Sequence, residues 1–178
     1  MDLDYGVRKN IELLAEAKNK KISDINACVL KRPRHDHIVK ELNNLNVKIN
    51  YITDGDIAGA LSVIGDNPKN DIYYSTGGAP EGVVVAAALS CYGGQIQGRL
   101  VLDDEEKVRA KKLGIKDFNK KYNIDDMVRG DVIFCATGVT TGELAQGVKD
   151  LGNEFEVNSF VLHKSQRIIK SITNIYNK

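Results

Sequence analysis

The sequence predicts an α/β fold, a single domain in which a largely parallel mixed β-sheet carries helices on both faces. Short apolar runs alternate with segments of helical periodicity, the order that parallel crossover units produce. Glycine, proline and aspartate clusters stand where the runs end and the helices begin. The 178 residues, 42% apolar and 28% charged, fit one ordinary domain, which at that length hides roughly 70% of the surface its unfolded chain exposes. Val7, Ile11 and Leu14 fall at helical spacing, so residues 5 to 19 read as an amphipathic helix. Ala27 to Leu30 is a compact apolar strand, and Ile38, Leu42 and Leu45 then mark a helix. Val47 to Thr53 alternates as a strand, and Ile57, Ala60, Leu61 and Ile64 share one helix face. Ile72 to Ser75 is a short strand that Gly77-Gly78 ends, after which Pro80 opens an alanine- and valine-rich helix to Tyr92. A charged helix is expected near Glu105 to Leu113, a strand at Val132 to Thr137 and a helix at Thr141 to Leu151. Phe155 to His163 and Gln166 to Ile175 complete the order as two closing strands.

Composition narrows the function classes. Twenty-five basic residues face 24 acidic ones, and only Lys31-Arg32-Pro33-Arg34-His35 concentrates positive charge. A general nucleic-acid surface is not expected from so short a stretch without interleaved aromatics, whereas a single phosphate group suits it. No apolar run is long enough to span a bilayer. Cys28 and Cys135 sit in apolar runs and read as buried thiols, and with Cys91 they form neither a C-x-x-C pair nor a zinc spacing. Met1-Asp2-Leu3-Asp4 is not a basic-then-apolar signal segment, and a cytosolic location is expected.

Three loops fall where an open sheet of this kind collects its ligands, outside the carboxyl ends of the strands. In Arg32-Pro33-Arg34 the proline stiffens the backbone between two guanidinium groups. Two such forks suit a phosphate, and a solvated basic turn is the other reading. Asp54-Gly55-Asp56 sets two carboxylates beside a helix start. Capping accounts for one aspartate, and the pair also suits sugar hydroxyls or a metal. Gly77-Gly78-Ala79-Pro80-Glu81-Gly82 puts a carboxylate in the first turn of a helix behind glycines that admit close approach. There Glu81 either complements the helix dipole or ligates a hard divalent cation. His35, His37 and His163 read as surface residues, and Tyr73 and Tyr74 as packing residues. The turn around Gly138 to Gly142 reads as a plain strand-to-helix connection, with phosphate acceptance as the other reading.

In this order, the three loops resemble class II fructose-1,6-bisphosphatases of the lithium-sensitive phosphatase superfamily. Gly93-Gly94-Gln95-Ile96-Gln97-Gly98-Arg99-Leu100 and Ala136-Thr137-Gly138-Val139-Thr140 extend the likeness over nearly the whole chain. The resemblance implies hydrolysis of the C1 phosphate of fructose 1,6-bisphosphate with manganese or magnesium, and sedoheptulose bisphosphate as a further substrate. It implies substrate binding by Arg32, Pro33, Arg34, Asp54, Gly55, Asp56 and Gly78, and a metal ligand in Glu81. It further implies that an amino-terminal half, supplying the other acidic ligands, is absent. On that reading the chain is the carboxy-terminal substrate-binding domain, nearly inactive alone, and associates with a copy of itself or with an amino-terminal half. Ser75-Thr76 and Thr141 depart from the family pattern. Two other classes compete. A non-catalytic sugar-phosphate module, or one subunit of a split phosphatase, would keep the arginines and aspartates. A nucleotide-binding oxidoreductase fits badly, since neither glycine pair opens a G-x-G-x-x-G turn.

Overall fold

The computed structural model describes residues 1–142 and 144–178. Its centre is strand β1 (Asn26–Leu30), flanked by β2 (Lys48–Ile52) and β3 (Ile72–Tyr74) in the order β2-β1-β3. Both pairings are parallel, with Leu30 opposite Ile52 and Val29 opposite Tyr74. A central parallel strand is covered on both faces and needs apolar side chains in succession. Ala27-Cys28-Val29-Leu30 supplies that run, and all four are buried.

Helices α1 (Gly6–Ala17) and α2 (Asp36–Asn44) cover one face. Ile11, Leu14 and Leu42 close there over Ala27 and Val29, with Ile49, Ile72 and Tyr74 at the margin. Helices α3 (Asp56–Leu61) and α4 (Ala79–Tyr92) cover the other face. Ala60 and Leu61 of α3 meet Val85, Ala88 and Leu89 of α4 beside Tyr73, so Tyr73 and Tyr74 do serve opposite cores. Gly59 makes the approach of α3 close, because a Cβ there would run into Ile52 and Tyr73.

The far side of α4 rests on a second sheet. Strand β4 (Ile133–Thr137), the short β5 (Lys149–Asp150), β6 (Glu154–His163) and β7 (Ile168–Asn177) are antiparallel to their partners. Phe134 and Leu162 turn inward to complete the α3/α4 core. The molecule is therefore an α/β fold in four layers: helices, parallel sheet, helices, antiparallel sheet. The expected closing strands are present, but they form their own sheet and do not extend the first. A small charged helix, α5 (Asp104–Lys112), starts at a reciprocal cap between Asp103 and Glu106. The four-residue α6 (Ile124–Met127), which the sequence did not suggest, follows it.

The helix expected at Thr141 to Leu151 is not formed. Among the described residues the stretch is a loop ending in β5, and Glu143 lies outside them. Glycine at 138, 142 and 147 explains the difference. A Cβ at Gly138 would strike the Gln146 carbonyl, and one at Gly147 would lie 2.6 Å from the Thr141 nitrogen. The loop instead folds back on itself through Gly142 N–H to Ala145 O (3.0 Å) and Val148 N–H to Val139 O (3.2 Å). Glycine costs about 1 kcal/mol inside a helix, so the apolar spacing of Leu144 and Val148 is outweighed. Neither a strand-to-helix connection nor a phosphate-accepting helix start exists at Gly138 to Gly142. Cys135 is likewise corrected: it is exposed, because β4 alternates and turns Phe134 inward while Cys135 faces out. Cys28 is buried as expected.

Asp71 fastens β3 to the rest of the parallel sheet. Its carboxylate accepts from Lys18 Nζ (2.7 Å), Lys20 Nζ (2.9 Å) and the Asn26 N–H (2.9 Å). Burial acts to raise its pKa, but the Lys18, Asn26 and Lys20 bonds outweigh burial and hold it below the ordinary aspartate value. As pH falls, the unfolded chain takes up this proton first. The contribution of Asp71 is therefore complete above about pH 4 and is lost as pH falls through the depressed folded value. Asp71→Ala is expected to lose roughly 2–3 kcal/mol at neutral pH and to flatten the acid limb of stability, measured by urea unfolding between neutral pH and pH 3.

Candidate functional site

Parallel pairing brings the ends of β1, β2 and β3 to one rim. Lys31 N–H donates to Ile52 O at 2.8 Å, so the chain leaves the first two strands at the same level. The loops carrying Arg32, Asp54 and Thr76 thus start as neighbours.

In the first loop Arg32 is extended and Pro33 opens a short 3-10 turn, closed by His35 N–H to Arg32 O at 2.9 Å. Arg32 bends back, Nη1 donating to Lys31 O at 2.9 Å. Arg34 reaches across to the third loop, where Nε donates to Thr76 O at 2.9 Å and Nη2 to the same oxygen. The two guanidinium groups thus hold different carbonyls, those of Lys31 and Thr76. Arg34 is nonetheless exposed.

In the second loop Gly55 has φ +82° and φ/ψ in the left-handed region that glycine enters without strain. Asp54 Oδ1 accepts from the Gly55 N–H at 2.8 Å. No side chain caps α3, so the capping reading of these aspartates does not hold. Asp56 Oδ1 accepts instead from Tyr73 Oη (2.5 Å) and Ser75 Oγ (2.9 Å). Burial, and then the Asp56 carboxylate, push the Tyr73 phenol far above its ordinary value. Tyr73 is therefore a permanent donor, and Asp56 is fixed by one oxygen with the other left over.

In the third loop Gly78 precedes α4 and Pro80 lies in its first turn. A Cβ at Gly77 would sit 2.7 Å from Asp56 Oδ2, and one at Gly78 would collide with Glu81 Oε2. The absent side chains thus make room for two carboxylates, one folded over each glycine. Arg34, Asp56 and Glu81 converge on the single segment Thr76-Gly77-Gly78, with Arg32, Pro33, Asp54 and Gly55 on the adjoining loops.

Sequence reasoning missed three members of this arrangement. His35 is only 1% exposed and is a core residue. It lies between Leu30 and Thr76 because the 3-10 turn after Arg32 points its ring inward. Tyr73 and Ser75 act on Asp56 as well as packing. Their signal was present, since residues two apart on a strand share a face, and here that face receives the helix that Asp56 begins. His37 is exposed, as expected. His163 is half-buried, its Nε2 2.8 Å from Asp131 Oδ2 and 3.3 Å from Ser165 Oγ. One ring nitrogen meets both partners, whereas a proton relay uses the two nitrogens separately. The trio therefore braces the β6–β7 turn.

For a metal, the rim offers the right kind of donor in too small a number. Carboxylate oxygens such as those of Glu81 and Asp56 suit a hard divalent cation. Among the described residues, however, no group of three or more His, Cys, Asp or Glu is placed to hold one ion.

The sequence profile described as "Bacterial fructose-1,6-bisphosphatase, glpX-encoded" matches residues 1–176. The chain belongs to this family. The bisphosphatase relatives include the "Fructose-1,6-bisphosphatase class 2" of Haemophilus influenzae, 34% identical over 99% of this chain and 57% of the relative. The "D-fructose 1,6-bisphosphatase class 2/sedoheptulose 1,7-bisphosphatase" proteins of two Synechococcus strains are each 32% identical over 99% of this chain and 55% of their own length. The chain thus spans a little over half the length of these class 2 bisphosphatases.

Proposed function

We propose that the chain is the sugar-phosphate-binding part of a class II fructose-1,6-bisphosphatase, acting in the cytoplasm on the C1 phosphate of fructose 1,6-bisphosphate. The seven-carbon bisphosphate named for the Synechococcus relatives is a further candidate. Membership of the family supports this reading, and one observation carries it: Arg34, Asp56 and Glu81 meet on the Thr76–Gly78 segment. Arg32 and Arg34 take phosphate oxygens through charge-assisted hydrogen bonds of about 1.5–3 kcal/mol each. Pro33 keeps the two forks apart, Asp54 and Asp56 accept from sugar hydroxyls, Gly55 lets ligand approach the backbone, and Gly78 lines the site by leaving the space that the Glu81 carboxylate occupies. Glu81 is offered as one ligand of a manganese or magnesium ion. The remaining ligands come from a partner segment, the amino-terminal portion of a class II enzyme, and this chain's own work is binding and orientation.

The outer face of the antiparallel sheet fits that partnership. Ile133 is 67% exposed there and Tyr176 53%, with Ile172 and Cys135 on the same face by the strand register. Such an apolar face marks an interaction surface, and association through it with the amino-terminal portion or a second copy is the expected state. Among the described residues no helix is long and apolar enough to cross a membrane.

A second reading rests on the small number of clustered acids: a sugar-phosphate sensor that needs no metal. Calorimetry with fructose 1,6-bisphosphate, with and without manganese, separates the two, together with phosphate release by the chain alone and after mixing with the amino-terminal portion of a class 2 relative. The expected result is weak saturable binding, negligible turnover alone and turnover on mixing. Absence of binding removes the proposal, and tight binding indifferent to manganese favours the sensor.

A further inference from the structure

Among the described residues His35 is the fully buried titratable side chain at the rim that the proposed binding does not use, and its two ring nitrogens join separate parts of the fold. The ring is 1% exposed. Thr76 N–H donates to Nε2 at 2.8 Å, and Nδ1 lies 2.6 Å from the Leu30 carbonyl oxygen. A backbone amide can only donate, so Nε2 is the acceptor and carries no proton. A carbonyl can only accept, so Nδ1 is the donor. The two contacts therefore select one neutral tautomer, Nδ1–H, with no choice left to the ring.

The placement matters because of what lies on either side of Thr76. The Thr76 carbonyl is the oxygen that Arg34 grips, and its N–H is the group His35 holds. Ser75, one residue earlier, is tied to Asp56. Gly77 and Gly78, just after it, carry the folded-over carboxylates of Asp56 and Glu81. One peptide segment is thus held from the turn after β1 by a histidine and an arginine, and from the α3 start by an aspartate. The arginine contact is exposed, while the Ser75–Asp56 bond and the histidine bond to Thr76 are part-buried. The histidine is itself anchored in the core by its buried bond to Leu30, so it ties the glycine-flanked segment to the parallel sheet, and a core-anchored hydrogen bond is costly to break.

We propose that His35 is a positioning residue for the rim: as the Nδ1–H tautomer anchored on Leu30, it fixes Thr76, and with it the Gly77–Gly78 turn and Glu81, against Arg34. This rests on reading the rim as a phosphosugar site, but its geometric half is tested without any ligand. His35→Asn keeps a donor near the Nδ1 position and deletes the acceptor for Thr76. His35→Gln reaches the Nε2 position and restores that acceptor. Both variants lose one of the two bonds, so a role confined to stability would lower their melting temperatures alike and leave the rim behaving the same in both.

The experiment compares amide hydrogen exchange at Thr76, Gly77 and Gly78 in the full chain and both variants, and titrates each with inorganic phosphate and fructose 1,6-bisphosphate. Exchange roughly tenfold faster and affinity roughly tenfold weaker in His35→Asn, with His35→Gln within about threefold of the parent, is the expected result, one such hydrogen bond being worth about that factor. Equal behaviour of the two variants overturns the proposal. If neither probe binds the parent while His35→Asn alone loosens the segment, positioning stands and the substrate reading falls. Should the variants not fold, nitrogen-15 spectra of the parent imidazole decide: a protonated Nδ1 with Nε2 coupled to the Thr76 amide supports the assignment, and a protonated Nε2 ends it.

Discussion

Arg34→Ala is expected to weaken binding of fructose 1,6-bisphosphate by roughly ten- to a hundredfold. Charge-assisted hydrogen bonds to a phosphate are worth about 1.5–3 kcal/mol, and each 1.4 kcal/mol is a factor of ten. Arg34 contributes twice: its fork holds the Thr76 carbonyl through Nε and Nη2, and its remaining edge is open to solvent. Arg34→Lys keeps the charge but cannot grip the carbonyl and a phosphate oxygen together, because an ammonium is a point charge without a planar fork. Lysine should therefore recover only part of the affinity. Calorimetric titration at matched ionic strength checks the series. Binding by Arg34→Ala equal to the parent would remove the rim from the account of ligand recognition.

Leu42→Ala is expected to destabilise the fold by about 2–5 kcal/mol, the range for a buried leucine that leaves a cavity. Leu42 is 0% exposed and packs in the same cluster as Ile11, Val29 and Val47, where α1 and α2 meet the parallel sheet. Against a total stability of about 5–15 kcal/mol for a domain, one such substitution brings the chain near its unfolding threshold. The midpoint of urea unfolding should fall with little change in slope, since the surface exposed on unfolding stays nearly the same. Ligand binding should persist until the fold is lost, because Leu42 packs in the core cluster between α1, α2 and the sheet. A loss below 1 kcal/mol would mean the first core collapses around the gap and is looser than its burial indicates.

The parts of this molecule legible in the sequence were those written in local periodicity. Val7, Ile11 and Leu14 announced α1, the run Ala27 to Leu30 announced a buried parallel strand, and Pro80 after two glycines announced α4. The parts that escaped depend on partners distant in the chain. The closing strands were visible, yet nothing local says that β6 pairs with β4 and β7 in a sheet of their own. The expected helix after Thr141 failed because Gly138 and Gly147 allow a backbone approach that apolar spacing does not record. The three loops of the rim could be named from residue type and their position after strands. His35 could not, because its role is set by Thr76, 41 residues away, and a histidine beside arginines and an aspartate reads as solvent-exposed. The aspartate pair was ambiguous for a related reason: capping and ligand binding use the same side chain, and the Tyr73 and Ser75 contacts of Asp56 speak against the cap alone.

The glycines of the rim also set how this lineage can diverge. At 77 and 78 any inherited replacement meets a carboxylate already in the space, and at 55 the backbone disfavours every other residue. A side chain at 77 or 78 is accommodated when the Asp56 or Glu81 carboxylate swings away, so a change at either glycine is recorded at the neighbouring carboxylate as well. Ser75, which holds Asp56 through its hydroxyl, is the neighbour whose replacement frees that carboxylate to move.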